Sequence, residues 1–276
     1  MPMHSIYFDS QLLYRHVTDE TPNNDQFYMH IHEQCEILYF VSGAATYTVE
    51  TTTRPIVPDT LVLMRPMESH CITILAKEPY ERFTLNFSDD LINSVDPEHK
   101  LLAPFYDRPL GERNFYRADE FFIPPARILS AMQIKGQRNT DRLSVMTYFH
   151  ALLGEINRAF DRKKNDPNPE QTKSLAAEAS DYINAHLFDN ISVQMVADKL
   201  FVSVSQLNRR FKKATGFSPW EYIIGKRLAT ARNLIKSGVP ATHAYVQCGF
   251  NDYSSFYRLY MKRFGISPKS DSVKSD

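Results

Sequence analysis

Four ionisable side chains early in the chain have the types and spacing of a binding site. His30 and His32 are separated by a single residue, Glu36 follows closely, and His70 lies further along. Two or three imidazoles with one carboxylate suit a transition metal. Without a metal, the same groups hydrogen-bond a polar small molecule. On an extended strand His30 and His32 flank Ile31 and point the same way. Tyr39 and Tyr47 add two hydroxyls to this stretch. A second set lies near the other end: Ser205, Gln206, Asn208, Arg209, Lys212 and Lys213, then Tyr253, Ser254, Tyr257, Arg258 and Lys262. Hydroxyl, amide and cationic groups in such rows meet base edges and phosphates.

The elements that would present the second set are legible. Ser192 to Gly216 and Ala241 to Gly265 each give a short apolar-periodic helix, a tight turn and a longer basic helix. That is the layout of a helix-turn-helix, whose second helix enters the major groove. Ser192 and Ser203 stand where an N-cap hydroxyl is needed. Gly216 and Gly265 stand where a helix ends in a left-handed residue. Both units close with one phrase, Gly216-Phe-Ser-Pro219 and Gly265-Ile-Ser-Pro268, an internal repeat. In the first basic helix Val204, Leu207 and Phe211 share one face, and Ser205, Asn208, Arg209 and Lys212 another. In the second, Phe256, Tyr260 and Phe264 make the apolar stripe, opposite Tyr253, Ser254, Tyr257 and Arg258. A solvated basic face on an ordinary bundle is the simpler reading of one such helix. Two of them at matching positions in a repeat weigh against it.

Charge separates the two halves of the 276 residues. The whole carries 32 basic and 32 acidic residues. Residues 174–276 hold 14 basic and 8 acidic, which leaves 18 and 24 for the rest. A basic C-terminal domain suits a phosphate backbone, and an acidic N-terminal one does not. Cys35, Cys71 and Cys248 give neither a disulfide framework nor a paired metal spacing. No signal segment and no long apolar run is present, so a cytoplasmic protein with no membrane association is expected.

Between His30 and Phe87 the pattern is of short strands: Glu36–Ser42, Ala45–Thr51, Thr60–Met64 and Arg82–Phe87. Ser42-Gly43, Arg54-Pro55, Pro58-Asp59 and Arg65-Pro66 read as turns between them. Such strands suggest a small barrel or jelly roll. Residues 124–162 read as helical, with Ile128, Leu129, Met132, Leu143, Met146, Phe149, Leu152, Leu153, Ile156 and Phe160 at helical spacing. So many large apolar residues call for cover, by the barrel itself or by a second copy, and we expect the second copy. Asp161–Ser174 is polar with two prolines and reads as a linker.

The C-terminal region resembles the AraC/XylS family of transcription regulators over roughly residues 175–268. The resemblance rests on Ala197, Leu200, Ser203, Leu207, Arg209, Phe211-Lys212 and Gly216. It continues in Arg227-Leu228, Ala231, Gly249-Phe250, Ser254, Phe256, Arg258 and Gly265-Ile-Ser-Pro268. It implies two helix-turn-helix units joined by a long helix at about Pro219–Ser237, opened by a helix at about Leu175–Leu187. Three places depart from the family pattern. Ala244-Tyr245 stands for Ile-Ala, Tyr260-Met261 for Phe-Lys, and Lys269-Ser-Asp271-Ser for an aromatic-Arg ending. The second unit is therefore expected to hold DNA more weakly. His30, His32, Glu36, Gly43, Pro66 and His70 resemble the two cupin motifs, although Asp59 stands where Gly is usual and Ile74 where Asn is.

Together these give an α+β chain of two domains. Residues 1–165 form a cupin-like effector and dimerisation domain, with its barrel about 10–120 and helices about 124–162. Residues 166–174 are the linker, and 175–276 an all-α double helix-turn-helix DNA-binding domain. The resemblance implies an effector-responsive regulator, often an activator of carbohydrate-uptake or metabolic operons. Its partners would be double-stranded DNA, a small-molecule effector such as a sugar, RNA polymerase and a second copy of the chain. We expect no catalytic residues, no cofactor and no bound metal, with His30, His32, Glu36, Tyr39, Tyr47 and His70 lining the effector pocket. The alternatives are a metal-dependent cupin enzyme using His30, His32, Glu36 and His70, and a ligand-independent repressor.

Overall fold

Residue alternation along Cys35–Ser42 sorts the N-terminal core into two layers. In this computed structural model, which describes residues 3–24, 27, 29–93, 95–133, 139–165 and 174–272, that segment is the third of nine strands. They are β1 (Met3–Phe8), β2 (Leu12–Asp19), β3 (Cys35–Ser42), β4 (Ala45–Val49), β5 (Thr52–Ile56), β6 (Thr60–Met64), β7 (His70–Ile74), β8 (Tyr80–Phe87) and β9 (Phe115–Tyr116). A six-stranded sheet runs β1-β2-β8-β3-β6-β9, and a three-stranded sheet runs β5-β4-β7.

The antiparallel registers define rows of side chains across the large sheet. Arg15 pairs with Thr84, Thr84 with Leu38 and Leu38 with Val62. That row faces the second sheet, because Leu38, Phe40, Val62 and Met64 form one core with Ala45, Tyr47, Val49 and Ile72. The next row, His16, Phe83, Tyr39 and Leu61, faces the other way. There Tyr39, Phe83 and Leu61 share a core with Ile128, Leu129, Phe149 and Leu152, which belong to helices that follow the strands.

Among the described residues, four α-helices belong to this part: α1 (Asp90–Asn93), α2 (Ala103–Tyr106), α3 (Pro125–Ala131) and α4 (Arg142–Asn165). The apolar stripe of α4 does not wait for a second copy. Val145, Phe149, Leu152, Leu153 and Ile156 are buried in one core with Leu85, Phe87 and Leu129. Of the residues expected to need outside cover, Leu143 is 77% exposed and Met146 half-buried. The sheet itself covers the rest.

Five strands, β1, β2, β5, β7 and β9, escaped the reading of the sequence. Pro55, read as part of a turn, lies inside β5. The chain tolerates it because β5 is the edge of its sheet, where a missing N–H costs no ladder bond. Asp59 has φ 67, the left-handed conformation that Gly usually supplies. Aspartate tolerates that region better than most residues. Its carboxylate also accepts the Tyr39 hydroxyl, so the departure at this position is accommodated locally.

The remaining helices form the second part: α5 (Leu175–Ala185), α6 (Val193–Lys199), α7 (Val204–Thr215), α8 (Pro219–Lys236), α9 (Ala241–Gln247), α10 (Tyr253–Phe264) and α11 (Pro268–Ser272). The chain divides into two compact units. One comprises 1–28, 34–49 and 53–171, the other 29–33, 50–52 and 172–276. The expected linker, 166–174, lies outside the described residues except for Ser174, which caps α5. Among the described residues, no helix is long and apolar enough to cross a membrane.

Candidate nucleic-acid interface and barrel interior

The caps that delimit the two basic helices form as their residue types require. Ser192 accepts the Met195 N–H at the start of α6, and Ser203 accepts the Gln206 N–H at the start of α7. Gln206 returns the contact to the Ser203 N–H, closing a capping box. Asp252 caps α10 by accepting from Ser254 and Ser255. Gly216 and Gly265 end α7 and α10 with φ 81 and 70. Ser218 caps α8 with Glu221 as its partner, and Pro219 begins the helix.

Burial then orients each basic helix. On α7, Leu207 and Phe211 are buried, with Phe211 edge-on to Tyr222 of α8 at 5.3 Å. Ser205, Gln206, Arg209, Lys212 and Lys213 are exposed, and Asn208 is half-buried. On α10, Phe256 and Tyr260 are buried, while Ser254, Tyr257, Arg258 and Lys262 are exposed. Tyr253 is half-buried, its ring 5.4 Å from Tyr245 and 5.8 Å from Phe256. Two of the eleven expected DNA contacts are thus partly committed elsewhere. Gln206 serves the cap, and Tyr253 serves the core edge.

The motif residue Arg227, on the long helix α8, ties the two helix-turn-helix units together. Its guanidinium donates to the carbonyls of Leu187 (2.7 Å), Asp189 (2.6 Å) and Gly249 (2.7 Å). The first two carbonyls precede α6, and the third lies in the turn of the second unit. Gly249 adopts φ 76, and a Cβ there would stand 2.9 Å from the Phe188 carbonyl and 3.0 Å from the Arg227 guanidinium carbon. Only glycine fits so close an approach.

Departures from the family pattern in the second unit are absorbed by its core. Ala244 is fully buried, and Tyr245 packs against Tyr253 and Phe256 at the edge. The Tyr260 hydroxyl donates to Asp271 at 2.7 Å, and Asp271 also holds Arg232 at 2.6 Å.

In the barrel, the interior between the sheets is polar at one end. Glu36 of β3 accepts from Asn86 Nδ2 at 2.7 Å and lies 3.8 Å from His70 Nε2 of β7. His70 Nδ1 donates to the Glu68 carbonyl at 2.8 Å, which aims Nε2 inward. Burial disfavours the His70 imidazolium, but Glu36 outweighs it and raises the pKa above the ordinary value. The Tyr47 ring stacks 6.3 Å from His70. Glu36, His70 and Tyr47 of the expected pocket therefore come together. Tyr39 does not join them: it is an odd-numbered residue on β3 and faces the helices, so its placement in the pocket is corrected. His30 and His32 lie ahead of β3, which begins only at Cys35, rather than on a strand. Their segment groups with the C-terminal unit, and their rings are 5.9 Å apart.

The sequence reading overlooked two arginines on the same inner rows. Arg15 pairs with Thr84 and Arg82 with Phe40 in the inward register. Arg15 Nε and Arg82 Nη1 are buried without a hydrogen-bond partner among the described residues. Burial lowers the Arg15 pKa, Glu36 opposes that, and Arg82 adds to it. Arg82 also lies 4.4 Å over the Tyr80 ring. Buried donors of this kind call for an acceptor. Strand register would have found them, had β2 been recognised.

These two arrangements agree with comparisons to known proteins. A family model described as an AraC-like ligand binding domain matches residues 15–153, and a helix-turn-helix domain model matches residues 196–271. The chain belongs to the AraC family of DNA-binding transcription regulators. The transcriptional activator RhaS of Escherichia fergusonii is 34% identical over 89 residues, 32% of each chain. The probable transcriptional regulator LumQ of Photobacterium leiognathi is 35% identical over 88 residues, 32% of this chain and 36% of that one. The chain thus spans about a third of the length of these curated relatives. Among solved structures, apo ToxT K231A from Vibrio cholerae covers 97% of this chain and 99% of its own, at 13% identity and a TM-score of 0.42.

Proposed function

We propose that this AraC-family chain is an effector-responsive transcription activator of a carbohydrate-uptake or metabolic operon, and not an enzyme. The observation that carries the DNA-binding role is the matched orientation of α7 and α10. Each buries its aromatic stripe and exposes a row of hydroxyl, amide and cationic groups. Arg209 and Arg258 read base edges, Ser205, Asn208, Ser254 and Tyr257 supplement them, and Lys212, Lys213 and Lys262 hold phosphate. The barrel interior takes the effector. Glu36, His70, Tyr47 and Asn86 supply hydrogen bonds, and Arg15 with Arg82 favours an effector bearing an acidic group, such as a sugar acid. Dimerisation and contact with RNA polymerase complete the reading, the exposed Leu143 and Tyr148 of α4 marking the surface for a second copy.

Genome-wide occupancy of the protein tests the regulatory role, because the bound promoters name the pathway. On those promoters, binding by the full chain falls steeply as salt rises. A folded protein with no salt-dependent DNA binding sinks the proposal. Thermal shifts with galacturonate against galactose test the effector class: the acid raises Tm, the neutral sugar does not, and Arg15→Gln removes the difference.

A further inference from the structure

Outside the barrel interior and the DNA-binding helices, one cluster has the composition of a metal site. His4, His16 and Glu81 each offer a ligand atom, and these atoms lie within 4.8 Å of one another. The strands explain the meeting. His16 and Glu81 belong to the face of the large sheet that carries Phe83, since Thr18 pairs with Glu81 and His16 with Phe83. In regular alternation His4 would point the other way. The register between β1 and β2 shifts between Met3 and Ser5, so His4 is the extra residue of a bulge. A bulge re-aims a side chain, and here it brings the His4 ring to 4.6 Å from His16.

The site is supported from behind. The His16 ring stacks on Phe83 with centroids 3.9 Å apart. Its Nδ1 meets the side-chain amide of Gln133 at 2.7 Å, and its Nε2 meets Glu81 at 2.7 Å. His4 is exposed and touches Thr18 Oγ1 at 2.6 Å. We propose that His4, His16 and Glu81 bind a first-row divalent cation, zinc fitting best, with water in the fourth position. Two imidazoles and a carboxylate are a zinc donor set, and the short strand bulge supplies the one ligand that a regular sheet could not. The cation takes the place of the proton between His16 Nε2 and Glu81. In the structure Gln133 Nε2 donates to His16 Nδ1; with the cation on Nε2 the imidazole proton moves to Nδ1, and a turn of the Gln133 amide brings its oxygen round to accept it, the usual support behind a ligating histidine.

Untagged full-length protein titrated with cobalt(II), then with zinc(II) against a chromophoric chelator, decides the matter. Wild type should show tetrahedral cobalt absorption and one cation equivalent that His4→Ala removes. His4 is exposed, so this variant keeps its fold, as circular dichroism will show. Glu81→Gln should remove the same equivalent, and Gln133→Leu should weaken it about 10–100-fold. Cation bound elsewhere persists in all three variants and leaves the difference unchanged. Wild type that takes up neither metal, or His4→Ala and Glu81→Gln variants that titrate as wild type, overturns the proposal.

Discussion

The Tyr260 hydroxyl donates a hydrogen bond to Asp271 at 2.7 Å, joining two residues that each depart from the AraC pattern. Read separately in the sequence, a Tyr in a Phe position and an Asp in place of an aromatic ending look like damage. Together they form a buried polar cluster with Arg232, whose Nε lies 2.6 Å from the same carboxylate. Burial pushes the Asp271 carboxyl up, but the bonds from Arg232 and Tyr260 outweigh it and hold it below the usual carboxylate range. Asp271→Asn should destabilise the C-terminal unit by about 1–3 kcal/mol, since it strands a buried donor. A depressed carboxylate stabilises the fold above its unfolded value of about 3.9 and loses that contribution as pH falls through the folded value. The gap in Tm between wild type and Asp271→Asn should therefore be full at pH 7 and vanish in acid. An equal gap at all pH values would assign the cluster no charge.

What the sequence revealed divides by the range of the interactions. Caps, turns and stripes in α6, α7 and α10 rest on residues within a few positions of each other, so Ser192, Ser203, Gly216 and Gly265 sit where their types predict. Tyr39 was misplaced because its face depends on the parity of β3 relative to Glu36, which only the cross-strand register settles. β2 was missed because Arg15 and His16 interrupt its apolar pattern. Their polarity is explained by what they face: Arg15 the barrel interior, His16 the edge beyond the helical cover. Asp59 shows the reverse. The sequence reveals that glycine is absent, but only φ 67 and the Tyr39 hydroxyl show why aspartate serves.

Gly249→Ala should damage the second helix-turn-helix without touching any DNA contact. The new methyl meets the Phe188 carbonyl at 2.9 Å and the Arg227 guanidinium carbon at 3.0 Å, in a left-handed backbone. Strain and overpacking together should cost at least about 2 kcal/mol. Chemical denaturation of the full chain measures it. A variant as stable as wild type would mean that the Arg227 clamp moves aside freely.

Leu143→Asp tests self-association. Leu143 is 77% exposed on the first turn of α4, whereas Phe149, Leu152 and Ile156 are enclosed by the barrel's own core. The substitution should leave stability within about 0.5 kcal/mol, as exposed sites usually do, and shift sedimentation from dimer toward monomer. A dimer of unchanged affinity would place the interface elsewhere.

Arg209 and Lys213 are both exposed on α7, and their charges are equal, so only their targets can distinguish them. A guanidinium forks onto the O6 and N7 of one guanine, while an ammonium acts as a point charge on phosphate. Arg209→Ala should cost about 1–3 kcal/mol at the specific promoter site and relax preference at a single base position. Lys213→Ala should weaken specific and random DNA alike and flatten the salt dependence by about one phosphate contact. Titrations of both variants on a bound promoter fragment and on scrambled DNA, each at several salt concentrations, separate the two roles. Equal losses for both variants on both DNAs would show that Arg209 holds only the backbone, and base reading would then fall to Ser205, Asn208 and the α10 residues.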